Sequence, residues 1–70
     1  MNMKENQISV SSVSDLEFAD SGYKSIHRPG WPTYAEWTVY FLHDGEEKQG
    51  KLRAALEDPE EDHEDTITLL

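Results

Sequence analysis

The sequence predicts a mainly β domain, or a small α+β one, built as a compact antiparallel sheet of three to five strands from hairpins, with an acidic segment near its C-terminus. Three observations carry that expectation. Trp37-Thr38-Val39-Tyr40-Phe41-Leu42 is an aromatic and β-branched run, the composition of a pleated, half-buried strand. Asp44-Gly45 follows directly as a tight-turn signal. Beyond it, Gly50, Leu52, Ala54 and Leu56 alternate with Lys51, Arg53 and Ala55, as a strand with one wet face requires.

Taken in order, residues 1–7 are polar and read as a flexible N-terminus. Ile8 and Val10 alternate with Ser9 and Ser11, the period of a strand. The next segment admits two readings. Ser14 with Glu17 has capping-box spacing and Val13 with Phe18 would supply the hydrophobic staple, which suits a helical turn from Asp15 to Gly22. The preferred alternative is a hairpin with Asp20-Ser21-Gly22 as its loop and Tyr23 to His27 as its return strand. His27-Arg28-Pro29-Gly30-Trp31-Pro32 is a loop, because two prolines and a glycine remove backbone donors and bias their neighbours away from helix. Thr33 and Glu36 repeat the capping-box spacing, but the aromatic run outweighs it. The letters of Lys51 to Asp58 also suit a short helix, and Pro59 ends either element. Residues 8–56 thus form one β-rich domain, 57–65 an acidic segment, and 66–70 a short closing strand or a tail.

A chain of 70 residues has room for one domain with a thin core, and with Cys 0 it has no disulfide or thiolate staple, which points to a reducing, cytoplasmic setting. No stretch has the length of a membrane span, and Met1 to Val10 lacks the apolar run of a signal peptide. The net charge of −9 is unevenly placed. Residues 1–56 hold all six basic side chains and eight acidic ones, whereas Glu57 to Asp65 holds seven carboxylates and neither Lys nor Arg. Such a field disfavours direct contact with nucleic acid or anionic membrane and attracts basic surfaces.

Four features are candidates for function. Glu57, Asp58, Glu60, Glu61, Asp62, Glu64 and Asp65 are either a solvated linker or a carboxylate array that imitates nucleic-acid phosphates against a basic cleft. As a metal site the run, with His63, lacks the alternating carboxylates and the glycine of a calcium loop, so no metal or cofactor is expected. Arg28, Trp31, Tyr34 and Trp37 are of the types that anchor interfaces, although for Trp37, inside a strand, the core is the favoured place. Asp65 and Ile67-Thr68-Leu69-Leu70 give a short apolar strand with an acidic flank, suited to pairing within the chain, in a homodimer or on a partner's sheet. Catalytic chemistry finds no foothold, because His27, His43 and His63 are scattered and no Gly-rich phosphate loop or nucleophile elbow is present. The expectation is therefore a non-catalytic inhibitor or adaptor of a nucleic-acid-handling protein, the role some small phage and mobile-element proteins play. The alternative is an oligomer-forming subunit that uses its C-terminal strand.

Overall fold

The computed structural model describes residues 6–26, 29–30 and 34–70. They form one antiparallel sheet of five strands: β1 (Gln7–Ser9), β2 (Ser14–Ile26), β3 (Tyr34–His43), β4 (Glu46–Ala55) and β5 (Thr66–Leu69), in the spatial order β1-β5-β4-β3-β2. β1 and β2 lie at opposite edges, yet only Val10 to Val13 separate them. A flat sheet would hold its outer strands about 19 Å apart at roughly 4.8 Å per step. The connecting chain reaches at most about 18 Å fully extended, and a 3-10 turn at Val10–Ser12 shortens it further. The sheet must therefore roll up, and its inner face becomes the core.

Alternation decides which side chains enter that core. Ala35, Trp37, Val39 and Phe41 on β3 are buried, as are Leu52 and Ala54 on β4 and Ile67 on β5. Ile8, Val10, Val13, Leu16, Phe18, Leu56 and Leu69 pack around them, half-buried. Opposite partners share a face: Trp37 faces Leu52, Val39 faces Gly50, and Ile8 faces Ile67. The expected inward set on β4 holds for Gly50, Leu52 and Ala54, and Lys51 to Ala55 is extended rather than helical.

The β3–β4 hairpin closes as its sequence predicts. His43 pairs with Glu46, leaving Asp44-Gly45 as a two-residue turn with φ of 56° and 79°. Positive φ at both positions matches the right-handed twist of the flanking strands and favours Asn or Asp followed by Gly. Open space surrounds Gly45, so a Cβ there meets only backbone strain. Gly45→Ala is expected to cost about 1 kcal/mol and Gly45→Asn clearly less; thermal unfolding followed by circular dichroism measures both.

Two expectations need correction. The segment after Ser14 is neither helix nor hairpin: β2 continues to Ile26 and pairs with β3 on both sides of a bulge. Ala19 to Gly22 bulge out opposite Thr38 alone, between the pairs Phe18–Val39 and Tyr23–Trp37. Phe18 and Tyr23 are five residues apart, a spacing that would send them to opposite faces of a regular strand. The bulge restores parity, and both rings reach Trp37, with centroids at 5.7 Å and 4.7 Å. The turn-forming residues Asp20, Ser21 and Gly22 are thus used without reversing the chain. The second correction is at β1, which stops at Ser9. There Ser9 Oγ accepts from Ser11 N at 3.3 Å and Ser12 Oγ donates to Ser9 O at 2.7 Å. These local bonds compete with ladder pairing and fold the chain into the 3-10 turn.

Candidate protein-binding site

β4 ends at Ala55, and the acidic segment that follows is folded onto the sheet. Asp58 O accepts from Glu61 N and Asp62 N at 3.2 Å and 3.0 Å, closing a turn that begins at Pro59, where a missing N–H costs nothing. The chain then returns along β4. Ala55 N donates to Asp62 O at 2.8 Å, Glu64 N donates to Arg53 O at 2.9 Å, and His63 bridges to Ala54. Val10 N donates to Asp65 O at 2.9 Å, tying the end of the segment to the 3-10 turn. Residues 57–65 are therefore an ordered arm held at three points by backbone bonds, not a free linker.

The arm sorts its side chains by polarity. Glu57, Asp58, Glu60, Glu61, Asp62, Glu64 and Asp65 are all exposed, whereas Pro59 and His63 are half-buried. The His63 ring lies 6.1 Å from that of Phe18, and its Nδ1 is 2.8 Å from Glu64 O. One histidine thus turns inward and its acidic neighbours turn outward. Among the described residues the one contact of ion-pair geometry is His43 Nδ1 with Asp44 Oδ2 at 3.9 Å, ionic only with a protonated ring, so no cation neutralises the arm there. The one side-chain hydrogen bond to its carboxylates among them is from Ser9 Oγ to Asp65 Oδ2, at 3.4 Å. Seven like charges are held close together by backbone contacts that do not involve them.

The aromatic anchors separate. Tyr34, half-buried at the start of β3, faces Ala55 and so stands at the foot of the arm. Trp37, expected among the contact residues, is a core residue: it is 8% exposed and enclosed by Phe18 and Tyr23, and its indole N–H has no hydrogen-bond partner among the described residues. The alternation that makes Trp37 inward is the physical reason. Arg28 and Trp31 lie outside the described residues.

β5 is hydrogen-bonded on both sides, to β1 through Thr66, Ile67 and Thr68 and to β4 through Thr68 and Leu69. Thr66–Leu69 closes the sheet and presents no open edge. The edge strands are β1 and β2. Sequence reasoning missed the outer face of β3, where Tyr40 is 46% exposed. The available signal was the two-residue period, which sends Tyr40 outward once Val39 and Phe41 point inward. Among the described residues no helix is long and apolar enough to cross a membrane, and no group of three His, Cys, Asp or Glu residues is placed to hold a metal ion. The chain matches no family model, no curated protein and no solved structure, so its function is read from this chemistry.

Proposed function

We propose that the protein is a non-catalytic, cytoplasmic binding module, a stoichiometric inhibitor or adaptor that engages the basic, nucleic-acid-binding surface of another protein through its acidic arm. The observation that carries this reading is that seven exposed carboxylates within residues 57–65 are ordered by backbone hydrogen bonds and have no cationic partner among the described residues. A flexible acidic tail must be ordered when it binds; a folded arm avoids most of that cost. Its concentrated negative field also speeds encounter with a basic cleft and discriminates against acidic surfaces. Tyr34 at the foot of the arm adds an amphipathic contact of the kind that fixes orientation.

The alternative, a subunit that self-associates by pairing Thr66–Leu70 with a neighbouring chain, has less support because both edges of β5 are occupied within the chain. The two readings separate in a pull-down from cell lysate at low and high salt, with the bound proteins identified by mass spectrometry. The expected result is recovery of a nucleic-acid-binding protein that elutes as salt rises and whose binding to nucleic acid the purified module competes. Exposed charges are screened within about 10 Å at 0.1 M salt. Recovery of only this chain, unaffected by salt, favours the subunit.

A further inference from the structure

We propose that a groove on the outer face of the sheet is a second contact for the same class of partner, and that it takes one cationic side chain, arginine before lysine, from an extended basic segment. This inference rests on the basic partner argued above but concerns a different surface. The groove encloses about 590 Å³ where the start of β2 meets the turn end of the β3–β4 hairpin. Cross-strand register builds it in two rows, Leu42–Glu47 and Glu17–Tyr40–Gln49, on the face opposite the Val39 and Phe41 side chains. The extra residue between the paired positions Ser14 and Glu17 places Asp15 on its rim.

Two independent properties of the groove point to a cation. Tyr40 leaves nearly half its surface in water, and an aromatic ring face attracts an arginine or lysine head by its quadrupole. Asp15, Glu17 and Glu47 are exposed around that ring, and none has an ion-pair partner among the described residues. The lining holds one cation, Lys48, whose Nζ is 3.4 Å from His43 Nδ1, so the carboxylates stay in excess three to one. Arginine is favoured because its planar head can stack on the phenol while its fork donates to carboxylates on either side.

The groove and the arm can be altered separately. From Glu47 to Arg53, where the arm folds back onto β4, the strand runs six residues, about 20 Å at roughly 3.3 Å each. Glu17 is nearer the arm, since its neighbour Phe18 lies 6.1 Å from His63, so the arm variant also measures how much of the groove's response comes from the arm's field. Lys51 lies on the strand between them, and each patch is altered by its own substitutions.

The test is a titration of capped hexa-arginine into the 15N-labelled full chain, read by amide chemical shifts. It is run on the native protein and on an arm variant carrying Glu60→Gln, Glu61→Gln, Asp62→Asn and Glu64→Gln. The expected result is that the arm variant retains peptide-induced shifts at Tyr40, Leu42, Glu47 and Gln49. Adding Tyr40→Ala, or Glu17→Gln with Glu47→Gln, should weaken that response by roughly twofold or more, whereas Tyr40→Phe preserves it and hexa-lysine binds less tightly. Native dispersion of the remaining resonances shows that each variant is folded. Shifts confined to residues 57–65 and lost in the arm variant would overturn the groove and leave the charge-based function standing. Groove shifts that survive both groove variants would also overturn it, as a diffuse charge effect. No shifts anywhere would sink both readings.

Discussion

Gly50→Ala is expected to destabilise the protein by about 2–3 kcal/mol, the upper part of the range for overpacking a core, and to lower its Tm by roughly 10–20 °C at the scale of a small domain. Gly50 is buried in β4 and pairs with Leu69 of β5. A Cβ built there would lie 2.6 Å from Ile67 Cγ2 and 2.7 Å from Thr68 O. A methyl group of Ile67 could rotate away only into a core that already encloses it completely. The Thr68 carbonyl belongs to the backbone of β5, so relief requires the whole strand to move off β4, weakening the Gly50–Leu69 and Lys51–Thr68 pairs. Because Asp65 immediately precedes β5, the same displacement loosens the arm, and affinity for a basic partner should fall with stability. Gly45→Ala is the internal control, since nothing surrounds that residue and only its positive φ is strained. Circular dichroism melts of the two variants rank them; equal, small losses would mean that β5 does not press on Gly50.

What was legible in the sequence follows from how local its causes are. The β3–β4 hairpin depends on a turn dipeptide and a two-residue period, both of which lie within a few residues of the elements they define. β2 was not legible, because its course depends on Trp37 offering a partner to both Phe18 and Tyr23 from another strand. A local reading of Asp20-Ser21-Gly22 sees turn chemistry and cannot see that the turn is spent on a bulge. The site divides in the same way. The carboxylates of 57–65 are plain in the composition, but their order comes from peptide groups of Asp62, Glu64 and Asp65 pairing with Ala55, Arg53 and Val10. Backbone donors and acceptors are common to nearly every residue, so composition carries no trace of that anchoring. His63 was grouped with the charges around it, yet it is the half-buried member that packs by Phe18.

Neutralising the arm with Glu60→Gln, Glu61→Gln, Asp62→Asn and Glu64→Gln is expected to separate binding from folding. Each exposed ion pair contributes about 0.2–1 kcal/mol, so removing four weakens binding to a basic partner by between about fourfold and nearly a thousandfold. The dependence of affinity on salt should flatten in parallel, because fewer screened contacts remain. Stability should move the other way or hold steady. None of the four side chains makes an ion pair among the described residues, the three backbone anchors remain, and the Ser9–Asp65 hydrogen bond is untouched. Four fewer like charges in so short a segment relieve self-repulsion in the folded arm. Titration calorimetry against the captured partner at about 50 and 300 mM salt, which bracket screening lengths from above to below 10 Å, measures the first effect, and a thermal melt measures the second. Weak binding with an unchanged or higher Tm is the signature of a surface held in place by backbone and used through charge. Unchanged affinity would move recognition away from the arm, and a fall in both would mean that the carboxylates help to hold the arm in its fold.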